Sequence, residues 1–254
     1  MLTLPMRKSQ QKAVYAKMLT QPVEKSQQKQ SENVKKRVTI MDHEYIKPMD
    51  IERRSMEIIE SELQTALPPD RAPIVKRVIH TTADFDYEKN LQFSETAVQA
   101  ALAALRKGAT IVCDTNMARS GVNKAALERH NSRAVCFMAD PDVAAEAKER
   151  GVTRATVSME KAASLDGPLI FAIGNAPTAL IKLKSLIDDA AVTPALIIGV
   201  PVGFVNVIES KELIKQAGIP YIIAAGRKGG STVAAAICNA LLYMLDSEDG
   251  LKRQ

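Results

Sequence analysis

The sequence predicts an α/β protein with three layers, in which helices cover both faces of a mainly parallel, doubly wound sheet. Short and almost continuously apolar segments alternate with segments that carry apolar residues at helical spacing. A continuous apolar run is typical of a parallel strand buried on both faces, and its alternation with helices is typical of a doubly wound sheet. The chain has 254 residues, 46% of them hydrophobic, which is enough for one domain with a sizeable core.

Three helices are predicted before the first strand. In the first, 50–63, isoleucines at helical spacing share one face with Ser55. A pair of prolines then breaks the chain, and the second helix begins with Asp70 as a candidate N-cap and ends near His80. The third helix covers 94–107, with its first residue as the candidate cap and a glycine just after it as the left-handed stop.

Strands and helices alternate in the rest of the chain. The predicted strands are 110–113, 134–138, 169–173, 195–200 and 221–225, and the predicted helices are 142–150, 177–187, 210–217 and 231–245. Ligands of such sheets bind beyond the carboxyl ends of the strands. The polar and glycine residues that follow the strands are therefore predicted to contact a substrate: Asp114, Asn116, Asn175, Gly203 and Arg227. The alternative for each turn is an ordinary α/β connection, since such connections commonly use these residue types.

Charge divides the chain into two parts. Residues 1–40 hold nine Lys or Arg against two acidic residues, a net charge of +7, whereas the rest of the chain carries −2. We predict a basic, Gln/Lys-rich extension over 1–41, disordered or loosely helical, and a single α/β domain over 42–254. The extension is interpreted either as a solvated segment or as an arm that contacts an acidic partner.

Composition argues against several classes of protein. No apolar run approaches the roughly 18 residues of a membrane span, and no apolar segment near the first residue resembles an export signal. We therefore expect a cytoplasmic protein without a membrane partner. Aromatic residues make up 4% and Trp is absent, so a nucleic-acid partner is not expected. Cys113, Cys136 and Cys238 lie in separate apolar runs and are predicted to be reduced core thiols.

His80 is the candidate for acid–base chemistry. The carbonyl end of a helix stabilises a protonated imidazole by about 0.3–1 kcal/mol, and a histidine can hold or donate a proton near neutral pH. A structural role for His80 is the alternative on pattern alone. His43 is predicted to be solvated and His130 to lie in a loop.

Motifs for bound cofactors and metals do not occur in the sequence. It holds no phosphate-binding P-loop, no dinucleotide fingerprint, no nucleophile elbow and no histidine pair at metal spacing. We expect no cofactor and no metal. The basic residues that are candidates to meet carboxylates are Arg77, Arg154, Lys211, Arg227 and Lys228. These observations predict an enzyme that acts on an acidic small molecule.

Several strings, in order between residues 42 and 245, resemble the precorrin-8X methylmutases of cobalamin biosynthesis, including the cobalt-precorrin-8 form. Each string is unspecific alone, but the ordered set is specific. They are Ile51-Glu52-Arg53-Arg54-Ser55, Arg77-Val78-Ile79-His80, Cys113-Asp114-Thr115-Asn116-Met117, Ile173-Gly174-Asn175-Ala176-Pro177, Gly199-Val200-Pro201-Val202-Gly203-Phe204 and Gly226-Arg227-Lys228-Gly229-Gly230-Ser231.

The resemblance implies an isomerase that moves a methyl group from C-11 to C-12 of precorrin-8X, or of cobalt-precorrin-8, to give hydrogenobyrinate or cobyrinate. The catalytic histidine of the family maps onto His80, and substrate contacts map onto Ser55, Arg77 and Arg154. The resemblance also implies a tetrapyrrole (corrin precursor) substrate and a homodimer with the site near the subunit interface. A carrier that binds a corrinoid without chemistry is the alternative function.

Overall fold

The structure is a computed structural model that describes residues 48–250, with side chains from residue 50 onward. From Glu52 onward, the described residues belong to one compact unit. The predicted extension over 1–41, the start of the domain at residue 42 and His43 lie outside the described residues.

The described part of the chain contains helices and strands in alternation after a helical beginning. The helices are α1 (Pro48–Glu62), α2 (Ala72–Thr82), α3 (Tyr87–Asn90), α4 (Ala97–Arg106), α5 (Asn116–Gly121), α6 (Lys124–Arg129), α7 (Pro141–Arg150), α8 (Arg154–Ala163), α9 (Pro177–Asp188), α10 (Val207–Lys215) and α11 (Ser231–Glu248). The strands are β1 (Leu91–Phe93), β2 (Thr110–Cys113), β3 (Arg133–Val135), β4 (Leu169–Ile173), β5 (Leu196–Gly199) and β6 (Tyr221–Ala224).

The six strands form one sheet in the order β1-β6-β5-β4-β2-β3. Strands β2 to β6 are parallel to their neighbours, and β1 pairs with β6 in antiparallel register. The prediction of a mainly parallel α/β sheet is confirmed. The antiparallel strand β1 was not predicted, because a segment of three residues is too short to show an apolar pattern.

Helices cover both faces of the sheet, and the strand residues alternate between the two. Ile111 and Ile170 face a core formed with α1 to α6 and α11, whereas Val112 and Phe171 face a core formed with α8, α9 and α10. The continuous apolar runs of the strands are explained by this double burial. The prediction of three layers is therefore confirmed.

The long helix α11 lies at the centre of the first layer. It packs against α2, α4, α5 and α6, and its residues are buried over most of its length. Helix α2 lies beside it and turns its apolar residues, such as Val75 and Ile79, into the same core. This packing fixes the last turn of α2, where His80 lies, relative to the sheet. Within residues 48–250 no helix has the length and apolar character needed to cross a lipid bilayer.

Candidate active site

The switch point of the sheet lies between β2 and β4. The chain leaves β2 toward β3 on one side and returns to β4 on the other, and such a point usually opens a ligand crevice at the carboxyl ends of the strands. Here the segments that follow β2 and β4 are hydrogen-bonded to each other. Asp114, which follows β2, accepts hydrogen bonds from the backbone N–H groups of Gly174 (2.8 Å), Asn175 (2.7 Å) and Ala176 (2.7 Å).

These bonds give Asp114 a different role from the one predicted. It was expected to contact the substrate, but it is completely buried and both carboxylate oxygens are engaged by the loop after β4. Burial raises the pKa of this carboxyl above its ordinary value, against the effect of the three N–H donors. The residue therefore shapes the rim instead of facing a ligand, because a buried acceptor is held by the donors it satisfies.

Asn116 and Asn175 are exposed at the rim that Asp114 organises. Asn116 is the first residue of α5, whose N-cap Thr115 accepts a bond from the Ala118 N–H. The Thr115 hydroxyl also lies 2.8 Å from the hydroxyl of Ser231 at the start of α11. The ends of β2 and β4 and the start of α11 are thus joined into one surface.

His80 lies in the last turn of α2, and its side chain is exposed. The helix ends at Ala83, which adopts the left-handed conformation with a φ of 52° and donates its N–H to the Ile79 carbonyl at 2.7 Å. His80 opens into a cleft of about 280 Å³ between α1 and α2. The residues that line it are Ser55, Ile58, Ile59, Glu62, Ile79, His80, Ala83 and Phe85. The structure therefore brings two of the predicted site residues, Ser55 and His80, to one cleft.

Arg77 lies one turn before His80 and faces a neighbouring cleft of about 260 Å³ between α2, α5 and α11. Its Nη2 donates to Glu52 Oε1 at 2.6 Å, and its guanidinium carbon lies 5.2 Å from the centre of the Tyr243 ring. Residues one turn apart lie on adjacent parts of a helix surface, so the clefts of Arg77 and His80 are neighbours along α2. Neither Glu52 nor Tyr243 was predicted, because neither partner is close to Arg77 in sequence.

The loop between β6 and α11 presents Arg227. Its side chain is exposed, and its guanidinium carbon lies 5.5 Å from the centre of the Phe204 ring, which is 82% exposed. Gly203 donates its N–H to the Arg227 carbonyl at 3.2 Å and has a φ of 145°, a conformation that side chains rarely adopt. Gly203 therefore supports the loop through its backbone. The exposed guanidinium of Arg227 is able to pair with a carboxylate of a ligand.

Lys228 and Lys211 were both candidates to meet substrate carboxylates, and the structure engages both elsewhere. Lys228 Nζ donates to Asp84 (2.6 Å) and Asp86 (2.5 Å), which follow α2. Lys211 is buried, with 1% of its surface exposed, and donates to the backbone carbonyls of the same loop. Burial lowers the pKa of Lys211 to about 8. Lys211 is not accessible to a ligand, which corrects the prediction.

Arg154 lies on another part of the rim. It is exposed as the first residue of α8, and the hydroxyl of its N-cap Thr153 is 3.0 Å from that of Thr178 at the start of α9. In the described part of the chain, no hydrogen bond or ion pair joins Arg154 to the residues of the His80 cleft. Helix α8 packs on the opposite face of the sheet from α1 and α2, the helices of the His80 cleft.

The remaining predictions concern residues away from these clefts. His130 follows α6 in a turn but is buried, with Nε2 2.9 Å from Asp246 Oδ1. The three cysteines are free and buried, as predicted. A further cleft of about 370 Å³, whose lining includes Arg119 and Arg133, contains none of the predicted site residues.

Comparison with known proteins gives consistent matches. Residues 50–244 match the family model described as precorrin-8X methylmutase. A cobalt-precorrin-8 methylmutase of Priestia megaterium is 43% identical over 203 residues, which cover 80% of this chain and 90% of the relative. A precorrin-8X methylmutase of Pseudomonas aeruginosa is 44% identical over 195 residues, covering 75% and 93%. A solved structure of precorrin-8X methyl mutase from Thermus thermophilus superposes with a TM-score of 0.73 at 38% identity, covering 78% and 98%.

Proposed function

This chain belongs to the precorrin-8X methylmutase family, and we propose that it is the isomerase of cobalamin biosynthesis that moves a methyl group from C-11 to C-12 of precorrin-8X or cobalt-precorrin-8. The observation that carries the proposal is the cleft in which His80 and Ser55 meet. It combines an accessible imidazole with apolar walls, which is what a proton-assisted rearrangement of a flat macrocycle requires.

The rearrangement breaks the bond between the methyl carbon and C-11 and forms a bond to C-12, while the double bonds of the ring shift. It needs no oxidant, reductant or external methyl donor. What the protein must supply is a fixed conformation of the ring and stabilisation of charge that develops on it. His80 supplies a proton or a hydrogen bond to the macrocycle, and the Ser55 hydroxyl, on the facing helix, is placed to orient the bound ring or its side arms.

Apolar residues of the cleft support the ring, and cations beyond it meet the carboxylate arms. Ile58 and Phe85 line the His80 cleft and offer an apolar surface for a macrocycle. Arg77 in the neighbouring cleft and Arg227 on the β6–α11 loop are the cations that receive carboxylates in this proposal. Asn116, Asn175 and the backbone of Gly203 complete the polar rim in this proposal.

We propose a homodimer in which the second copy completes the site. Ligand sites for drug-sized molecules measure about 300–1,000 Å³, whereas the clefts at His80 and Arg77 measure about 280 and 260 Å³, and a corrin precursor is larger than a typical drug. Arg154 begins α8, which lies on the opposite face of the sheet from α1 and α2, and in this proposal it contacts the corrin bound at the partner subunit. The exposed side chains of Phe204 (82%) and Val205 (77%) provide apolar surface for such a contact.

We also propose that the enzyme works in the cytoplasm without membrane or nucleic-acid partners. Its three cysteines are free thiols, as is usual in a reducing compartment. The two forms of the substrate are tested separately, because a relative named for the cobalt form is 43% identical to this chain and a relative named for precorrin-8X is 44% identical.

The test is direct conversion. Purified protein is mixed under anaerobic conditions with precorrin-8X and, separately, with cobalt-precorrin-8, and the visible spectrum and product are followed over time. We expect hydrogenobyrinate or cobyrinate in multiple turnovers. A shifted spectrum from which the substrate is recovered unrearranged would show a carrier and contradict the proposal. Sedimentation with and without hydrogenobyrinic acid measures the expected dimer.

A further inference from the structure

Lys211 is a buried cation that donates to two carbonyls of one loop. It lies on α10, and its Nζ is 2.8 Å from the Gly226 carbonyl and 3.0 Å from the Lys228 carbonyl. Both of these partners are neutral, so neither balances the charge of the ammonium. A buried ammonium is costly when its partners carry no opposite charge. Because burial leaves its pKa at about 8, the group is still a cation at neutral pH.

The two carbonyls flank Arg227. The carbonyl of Arg227 itself is held by the Gly203 N–H at 3.2 Å, so three consecutive carbonyls of the loop have fixed partners. Two carbonyl oxygens that point at one site repel each other unless a donor lies between them, and a cationic donor offsets the repulsion most strongly. The ammonium of Lys211 therefore stabilises the turn over 226–228.

The turn determines where the Arg227 side chain lies. On one side, the Arg227 guanidinium stacks on Phe204. On the other, Lys228 is anchored to Asp84 and Asp86, which follow the helix that carries His80. Lys211 holds the backbone on either side of Arg227, and these contacts fix the point at which the Arg227 side chain leaves the loop. An arginine pairs with a carboxylate most strongly when its planar group is already oriented.

We propose that Lys211 is a positioning residue: its ammonium fixes the turn over 226–228 and so orients Arg227 toward the carboxylates of the substrate. This inference rests on the proposed function, because it requires a polyacid bound at the rim. Lys211 acts through Arg227 and does not contact the substrate itself.

The test compares Lys211→Met with Lys215→Met. Lys215 lies one turn later on α10 and pairs at the surface with Glu212, so the same substitution there leaves the loop untouched. We expect Lys211→Met to raise KM about tenfold and to change kcat by less than about threefold, because binding of carboxylates is lost and not the chemistry. Lys215→Met keeps both constants of the wild type.

A double variant separates orientation of Arg227 from general loss of structure. If Lys211 acts through Arg227, Lys211→Met combined with Arg227→Ala has a KM within about twofold of Arg227→Ala alone. If the KM of the double variant instead rises by the product of the two single increases, Lys211 and Arg227 act independently and the inference is overturned. An unchanged KM in Lys211→Met, with wild-type turnover intact, would also overturn it. If the folded wild type and Lys215→Met both fail to convert the substrate, the proposed function is refuted, and the inference fails with it.

A second pair of variants applies if Lys211→Met does not fold. Lys211→Arg keeps a cation at the two carbonyls, and Lys211→Gln keeps a donor without charge. We expect KM within about threefold of the wild type for Lys211→Arg and an increase of at least about fivefold for Lys211→Gln. Equal KM values for Lys211→Arg and Lys211→Gln would show that no cation is needed at the two carbonyls and would overturn the inference.

Discussion

Glu52 holds the guanidinium of Arg77 at 2.6 Å while the same group stacks over the ring of Tyr243. The Arg77 side chain is 14% exposed and that of Glu52 is 47% exposed. In the proposed function, the carboxylate of Glu52 occupies a position at Arg77 that a carboxylate of the substrate would take. Binding of a polyacid at Arg77 must displace this carboxylate or share the cation with it.

Glu52→Gln is expected to strengthen binding of hydrogenobyrinic acid by about three- to tenfold, because the competing charge is removed from Arg77. Titration followed in the visible spectrum measures the Kd. Glu60→Gln is the matched control, since Glu60 bridges the same two helices through Lys76 and does not contact Arg77. Weaker binding in Glu52→Gln than in Glu60→Gln would show that Glu52 orients Arg77 and does not compete for it.

Asp114→Asn is expected to lower the free energy of unfolding by about 2–3 kcal/mol. The Asp114 carboxylate accepts three N–H bonds through two oxygens, whereas the amide of Asn has only one oxygen to accept them. Denaturation by urea measures the change. Asp142→Asn provides the control, because that carboxylate lies at the surface and pairs with Lys161; it should leave the urea midpoint close to that of the wild type. Equal stability of the two variants would mean that the bonds from 174–176 do not support the rim.

The ion pairs of Glu160 are expected to make the stability of the fold depend on pH in acid. Arg150 and Lys182 hold its pKa down to about 2, from an ordinary value of 4.5. An acid with a lowered pKa stabilises the fold fully above pH 4.5 and loses that contribution as the pH falls toward 2. With allowance for partial exposure, about 1–2 kcal/mol should be lost over this range.

Glu160→Gln should remove this part of the pH dependence, measured as the Tm between pH 5 and pH 2. Glu146→Gln is the comparison, because Glu146 contacts the same Arg150 from a position whose side chain is 50% exposed, and it should change stability by about 0.5 kcal/mol or less. A Tm that falls with acid as steeply in Glu160→Gln as in the wild type would contradict the assignment.

The sequence predicted the sheet well because its strands are buried on both faces. The segments 110–113 and 169–173 coincide with β2 and β4, since their apolar runs end at Asp114 and at Gly174. The helix predicted from Ser94 begins later, at Ala97, and the Ser94 hydroxyl instead accepts the Tyr221 N–H at 2.9 Å. A local capping pattern could not reveal a bond made 127 residues away.

The residues of the candidate site could be predicted where their role follows from residue type and helix face. They could not be predicted where the role depends on contacts with residues distant in sequence. His80 and Ser55 lie on two amphipathic helices whose faces the pattern had located, and they meet at one cleft. Asp114 and Lys211 have the residue types of ligand-binding groups, but both are buried and bond the backbone of other segments. Burial of a charged group with its partners depends on the packed fold, which residue spacing alone does not give.

The proposed function depends on the imidazole of His80, which assists the methyl shift. The most direct measurement is a single-turnover comparison of wild type and His80→Ala with precorrin-8X, followed in the visible spectrum, together with the Kd for hydrogenobyrinic acid. We predict a rate that falls by about 10²- to 10⁴-fold, with a Kd within about fivefold of the wild type. A folded His80→Ala variant that rearranges the substrate at the wild-type rate would contradict the account.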